Sequence, residues 1–465
     1  MSRQVTKDLT TGSPMRLILG FGIPLLLGML FQQFYSMVDT IIVGQFLGVN
    51  ALAAVGATGS INFMIIGFCM GVCNGFAIPV AQRFGAKDEE GLRKYVANSA
   101  WLAIFFAAVM TVLVCMFCRQ ILEVMNTPAD IMDGSYSYIF VIFLGIPATY
   151  LYNLLSGIMR SLGDSKTPLY LLIFSSVLNI FLDLTAIIVL HMGVAGAAWA
   201  TVLAQTISGI CCLFVMRRKF PILHISREEA QPDRRCMLTL CNMGIPMGLQ
   251  YSITAIGSVI LQTAVNSLGS VAVASVTAAT KISMFLCCPY DAMGSTMATY
   301  AGQNVGAGKL KRLYQGEKAC SLLGLIYSVT ALGFIAVFGK WAALLFVDAG
   351  EQVIIDQVYR FLLVNGTFYF PLALVNIVRF TIQGMGFSRL AILAGVCEMI
   401  ARSSVAFVLV PVFGFTAVCF ASPAAWVLAD LFLIPAFIHC VHRLEKRQDQ
   451  WNKTAQNTLC TEGNV

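Results

Sequence analysis

Four side chains in this chain could hold a proton or a small cation between them: Asp39, Asn179, Asp183 and Thr201. Asn179 and Asp183 sit in LYLLIFSSVLNIFLDLTAIIVL, residues 169–190, a stretch long and apolar enough to cross a bilayer as a helix. Their spacing of four puts both on one helical face. A short break follows at His191, Met192 and Gly193, then a second apolar run bearing Thr201. Asp183 precedes Met192 by nine residues and Thr201 follows it by nine. An antiparallel hairpin turning there places the two at one depth, roughly 13 Å from the turn at 1.5 Å per residue. Asp39 lies eleven residues before the turn expected at Asn50 and reaches a similar depth. Tyr35 and Gln32, four and seven residues earlier, share its face. An acid inside a membrane is costly to keep without a function. Two acids in a low-dielectric site cannot both ionise cheaply, so the pair is expected to take up a proton or a cation. Carboxylate, amide and hydroxyl oxygens are hard ligands that suit Na+ as well. The residue types serve either ion.

The elements that must position these groups are membrane helices. Of 465 residues, 58% are hydrophobic and only 11% charged, with mean hydropathy +0.79; soluble domains carry about 25% charged residues. The net charge of +7 is therefore no sign of nucleic-acid binding. Twelve apolar runs are expected, at roughly 15–43, 51–82, 95–117, 134–157, 167–190, 194–216, 237–266, 271–302, 313–338, 358–380, 389–411 and 416–441. The first and eighth are long enough to bend, at Pro24 and Pro289. With a cytoplasmic N-terminus, 24 of the 30 Lys and Arg fall on cytoplasmic segments, Arg3, Arg160 and Lys453 among them, as the positive-inside rule requires. The chain then divides into a cytoplasmic N-terminus (1–14), a six-helix lobe (15–216), a cytoplasmic linker (217–236), a second six-helix lobe (237–441) and a cytoplasmic tail (442–465). Residues 1–14 are polar and the first apolar run is too long for a signal h-region, so no cleaved leader is expected.

The two lobes repeat each other. At an offset of 221, Leu47 and Gly48 match Leu268 and Gly269, Gln82 matches Gln303, Gly85 and Ala86 match Gly306 and Ala307, and Gly193 matches Gly414; Pro24 matches Pro246 one residue out of step. Six helices per repeat give both halves the same orientation, with the pathway between them. The candidate site is not repeated. Asp39 corresponds to Ile260 or Leu261, Asn179 to Ile400 and Asp183 to Ser404, so an ion site is expected in the N-terminal lobe alone. Among the other embedded charges, Lys281 and Asp291 are lining candidates, Glu398 and Arg402 are spaced as a structural pair, and Asp430 has no evident partner. Arg379 is expected to snorkel toward the inner surface. The 15 cysteines show no metal-ligand spacing and read as small buried hydrophobes. The stretch 302–309, GQNVGAGK, has five residues between Gly302 and Gly308 and no Ser or Thr after its Lys, so it is not a P-loop. With no nucleophile–base motif either, no enzyme and no resident cofactor are expected, and any active transport draws on an ion gradient.

The motifs FxxMVDTIIVGxxLG at 34–48, VAQRFGAKD at 80–88, MRSLGDSKTP at 159–168 and AGQNVGAGK at 301–309, with the segment around Asn179 and Asp183, resemble the multidrug and toxic compound extrusion (MATE) family. Within it the chain looks like the prokaryotic DinF-type and MepA-type members. That resemblance implies an all-α membrane fold of twelve helices in two V-shaped six-helix bundles, and antiport of organic cations against H+ or Na+. It implies a coupling site on Asp39, Asn179, Asp183 and Thr201, with Tyr35 and Asn153 beside it and Pro24 as a hinge candidate. The NorM-type branch carries a glutamate on its seventh helix where this chain has Thr254. The resulting expectation is a monomer in the bacterial inner membrane with both termini cytoplasmic, exporting amphipathic drugs. A lipid-linked precursor flippase of the same superfamily is the alternative; the acids embedded in the N-terminal half favour cationic substrates.

Overall fold

The computed structural model describes residues 6–462, with 126 and 349 excepted. Arg3 and the side chain of Lys453, both counted above as cytoplasmic, lie outside the described residues. The chain is all helical where described. Twelve spans follow in order: α1 Pro14–Leu47, α2 Gly59–Gly85, α3 Glu89–Met116, the bent pair α4 (Met132–Leu144 and Ile146–Ser161), α5 Lys166–Leu184, α6 Gly193–Lys219, α7 Arg234–Asn266, α8 Ser270–Gly306, α9 Lys311–Ala343, the bent pair α10 (Gln352–Thr367 and Tyr369–Gly384), α11 Ser388–Ser404 and α12 Phe415–Glu462. Neither Pro24 nor Pro289 breaks its helix. The sharp bends fall instead in α4, by 46°, and in α10, by 52°. These are symmetry-related spans.

Local chemistry fixes where several helices start. Asp88 accepts the Gly91 N–H at 2.9 Å, and Glu89 and Glu90 occupy the first turn of α3, where the helix dipole favours acids. Asp164 accepts the N–H groups of Lys166 and Thr167, each at 3.0 Å, at the start of α5. The repeat is visible in the backbone. Gly48 and Gly269 have φ of 87° and 95°, and Gly193 and Gly414 have φ of 61° and 55°, a region glycine enters without strain. A π-helical turn follows α5 at Thr185–Val189 and another follows α11 at Val405–Leu409. These turns lie 220 residues apart, which moves the counterparts of Asn179 and Asp183 from Ile400 and Ser404 to Met399 and Ser403. The conclusion that the second lobe lacks this carboxylate stands.

The lobes α1–α6 and α7–α12 meet where α2 crosses α7 and α1 crosses α8. A Cβ added at Gly71 would lie 2.6 Å from the Met247 carbonyl, and one at Gly75 would lie 2.5 Å from Gly244 Cα. Small residues four apart on both helices bring the backbones together, as in membrane helix pairs generally. Toward the basic end the lobes are tied by a symmetric pair of glutamines. Gln82 Nε2 donates to the Gly384 carbonyl at 3.0 Å. Gln303, its repeat partner, donates through Nε2 to the Ser161 carbonyl at 2.9 Å and accepts the Leu9 N–H at 2.9 Å. The N-terminal segment straps both lobes there, since the Lys7 N–H reaches the Leu162 carbonyl at 3.2 Å. Hydrogen bonds thus tie the lobes at the basic end and, among the described residues, reach no further than Ser252 and Met64. The linker 217–236 is packed rather than loose: Glu229 pairs with Arg93 at 2.7 Å and the Trp101 indole donates to the Ala230 carbonyl at 3.0 Å.

Candidate functional site

The hairpin from α5 to α6 turns where the sequence places it, with His191 at φ 51° and Gly193 at φ 61°. Its register differs by about one turn from the simple count. Asn179, not Asp183, lies opposite Thr201, its side-chain amide 3.4 Å from the Thr201 hydroxyl. The π turn explains this: an i→i+5 turn advances less per residue than an α turn, so Asp183 sits nearer the bend than nine α-helical residues would put it. With its amide oriented to satisfy both neighbours, Asn179 donates to Asp183 Oδ2 at 3.3 Å and accepts the Thr201 N–H at 3.1 Å. Asn179 and Asp183 are 2% and 0% exposed.

Asp39 arrives from α1, and its carboxyl stands within hydrogen-bonding reach of that of Asp183. Tyr35 is beside both. Tyr138, from the first half of α4, lies near enough to feel the charge of the pair. The sequence reading missed it, because nothing in the spacing of α4 points to a partner on α1. Asp39 Oδ1 and Asp183 Oδ1 are both buried without a hydrogen-bond partner. An unpaired buried oxygen is costly, and one on each of two neighbouring carboxyls suits a shared proton or a hard cation.

Beside this pair lies a cavity of about 250 Å³. Pro24, Gln32, Tyr35, Asn153, Asn179 and Thr201 line it, while Asp39 and Asp183 stand just beyond its wall. Asn153 turns its amide back to the Thr149 carbonyl at 2.8 Å. Lys281 and Asp291, expected as lining candidates, are not part of this lining. Both are exposed on α8, which reaches the cavity only through Ser295, Ala298 and Thr299. Arg160 is the reverse case. Counted as a cytoplasmic loop residue, it instead lines the cavity and donates from Nη2 to Asn74 Oδ1 at 3.1 Å. Its position seven residues after Asn153 and four after Ser156, on the same face, was the available signal.

The second lobe buries a different polar set. Arg379 does not snorkel: it is 6% exposed and pairs with Glu398. Arg402 reaches the other oxygen of Glu398 at 3.4 Å. A buried carboxylate between two guanidiniums leaves none of the three charges unpaired, the condition under which buried charges are kept. Asp430 is buried with Oδ1 unpaired.

Comparison with known proteins agrees with this architecture. The MatE family model matches the chain twice, over residues 24–185 and 246–408, one copy per lobe. The chain belongs to the MATE family. Among curated MATE relatives, the "Probable multidrug resistance protein YpnP" of Bacillus subtilis is 30% identical over 80% of this chain and 82% of its own length. The "Probable multidrug resistance protein YoeA" of the same organism is 28% identical over 82% of this chain and 84% of its own. Among solved structures, a MATE protein in complex with MaL6 superposes with a TM-score of 0.89 at 23% identity, covering 96% of this chain and all of that one. The twelve-helix, two-lobe MATE fold is thus common to both.

Proposed function

We propose that this chain is a secondary active multidrug efflux transporter, exporting amphipathic organic cations by antiport against H+ or Na+. The observation that carries this reading is the pair Asp39 and Asp183, each with an unpaired buried oxygen, set behind the wall of a cavity lined by Tyr35, Asn179 and Thr201. While ionised, the pair attracts a cationic compound in the cavity. Uptake of a proton or Na+ between the two carboxyls cancels that attraction, so ion and drug displace each other. The glutamine ties and N-terminal strap hold the basic end shut, as an exporter needs while it releases drug and loads its ion on the opposite side. The protein sits in the bacterial inner membrane as a monomer, with the basic end, both termini and the linker cytoplasmic. The relatives named as multidrug resistance proteins support the substrate class.

The test is dye export by inverted membrane vesicles under an imposed pH gradient or an imposed sodium gradient, one at a time. Export driven by either gradient, and lost in Asp39→Asn at equal protein level, is the expected result. Export that needs neither gradient, or survives in Asp39→Asn, overturns the reading.

A further inference from the structure

The two lobes of the sequence and the two apolar cores of the molecule do not coincide. Ile18, Phe21 and Leu25, on the half of α1 toward the basic end, are buried in the core formed by α8–α12. Ile42 and Val43, further along the same helix, join the core of α2–α6. α7 does the reverse. Cys236 and Leu240, on its half toward the basic end, belong to the core of α2–α6, and Val265 near its other end belongs to that of α8–α12. Glycine contacts show the same change of partner. A Cβ added at Gly22 of α1 would lie 3.1 Å from Thr296 Oγ1 on α8, and one at Gly28 would lie 3.5 Å from Leu172 on α5. In α7, Gly244 and Gly248 press on Phe76 and Phe68 of α2, whereas Gly257 faces Met399 and Arg402 of α11. Each helix therefore starts in one body and ends in the other. The change falls between Leu25 and Ile42 in α1 and between Ser252 and Val265 in α7.

What ties the first half of α7 to its own lobe is polar. Arg389 on α11 donates to Asn242 Oδ1 at 2.7 Å, and Gln383 on α10 donates to Gln250 Oε1 at 2.5 Å. Such bonds exchange for water when a cleft opens, while apolar seams with touching backbones have no substitute partner. The contact between α2 and α8 is of another kind. Gly85 backs onto Gln303 and Gly306 onto Gln82, and the repeat exchanges these two contacts. They therefore lie on the axis relating the lobes, across the pathway itself. We infer that the bodies that rock apart at the basic end are not the two sequence repeats: the first half of α1 stays with α8–α12, the first half of α7 stays with α2–α6, and both helices flex where they change partners. The α1–α8 and α2–α7 seams stay shut throughout, and the opening lies between α2 and α8. The flexing stretch of α1 carries Gln32 and Tyr35 of the cavity lining, which links what the cavity holds to the opening. The inference goes beyond the efflux reading, since it needs alternating access and no particular substrate.

The test locks each seam with a disulfide in inverted membrane vesicles, which present the basic end outward. A Cβ added at Gly22 would lie 4.0 Å from Thr296 Cβ, one at Gly67 3.4 Å from Tyr251 Cβ, and one at Gly302 3.0 Å from Ala81 Cβ. A disulfide spans roughly 3.5–4.5 Å between Cβ atoms, so small shifts suffice. Gly22→Cys with Thr296→Cys locks α1 to α8, Gly67→Cys with Tyr251→Cys locks α2 to α7, and Ala81→Cys with Gly302→Cys locks α2 to α8. The readout is labelling of Met70→Cys, in the cavity lining, by a bulky maleimide added outside the vesicles, before and after oxidation. The same variants without Met70→Cys give the background from native cysteines. Oxidation leaves labelling unchanged in the first two variants and abolishes it in the third. Loss of labelling in either of the first two, reversed by reductant, means that the sequence repeats move as blocks and overturns the inference. Labelling that persists in the oxidised third variant, or that never occurs in reduced protein, overturns it as well. The first two locks are independent, so if one variant does not fold the other decides. Dye export by wild-type vesicles is scored separately: its absence overturns the efflux reading, while the labelling still decides this one.

Discussion

Replacing Gln303 by Ala should open the basic end of the molecule. Gln303 is fully buried, and its side chain makes two bonds that cross between segments, to Ser161 and to Leu9. A neutral hydrogen bond contributes about 1 kcal/mol net, so the closed arrangement loses about 2 kcal/mol. At about 1.4 kcal/mol per tenfold, its population relative to an opened state falls about 30-fold. Gln82→Ala removes one bond, to Gly384, and should cost about fivefold by the same reckoning. Hydrogen exchange of the 6–12 segment reads this directly. Leu9 loses its own acceptor in Gln303→Ala, so the informative amide is Lys7, whose acceptor at Leu162 is untouched. Lys7 should exchange about 30-fold faster in Gln303→Ala and less so in Gln82→Ala. Acceleration confined to Leu9, or a larger effect from Gln82→Ala, would refute the latch.

Asp164 is 6% exposed, caps α5 through two backbone N–H groups and pairs with Lys219 at 3.0 Å; Asp164→Ala should cost about 3 kcal/mol, and an unchanged unfolding midpoint would contradict that role. The Ser226 N–H and then Arg93 hold the Glu229 carboxyl below its ordinary range. A depressed carboxyl stabilises above its unfolded value and loses that contribution as pH falls through the folded one. The linker should thus stay docked on α3 at neutral pH and come free only as pH falls below the ordinary carboxylate range, measured as protease cutting within residues 224–233; cutting that does not vary with pH would count against it. A cysteine introduced at position 228 should resist an impermeant thiol reagent applied outside intact cells, and its labelling there would reverse the topology.

How much of this was legible in the sequence follows from which interactions are local. Asn179 and Asp183 four apart, the hairpin turn at His191 to Gly193, and the repeat pairing Gln82 with Gln303 are all readable from spacing. The role of that last match is not, because it depends on Gly384 and Ser161, which lie 302 residues from Gln82 and 142 from Gln303 respectively. The π turn after α5 shifts Thr201 onto Asn179, and no periodicity announces it, since its residues are as apolar as those of an α turn. Arg160 was assigned to a loop because basic residues near a helix end satisfy the positive-inside pattern whichever way the side chain points. Arg379 was expected to snorkel for the same reason, and its partner Glu398 lies on another helix. Tyr138 comes near the acid pair only because the first half of α4 packs against α6 in space.

The central claim is that ion and drug exclude each other through Asp39 and Asp183. The most direct measurement is binding of rhodamine 123 to purified protein between about pH 5 and about pH 9, with and without sodium, in wild type and in the double variant Asp39→Asn, Asp183→Asn. Reciprocal linkage requires that bound ion weaken the dye by the factor by which bound dye weakens the ion. The account predicts that wild-type affinity falls as protons or sodium are added, and that the double variant binds weakly and independently of both ions. Wild-type affinity indifferent to both ions, or an ion dependence that persists in the double variant, would contradict it.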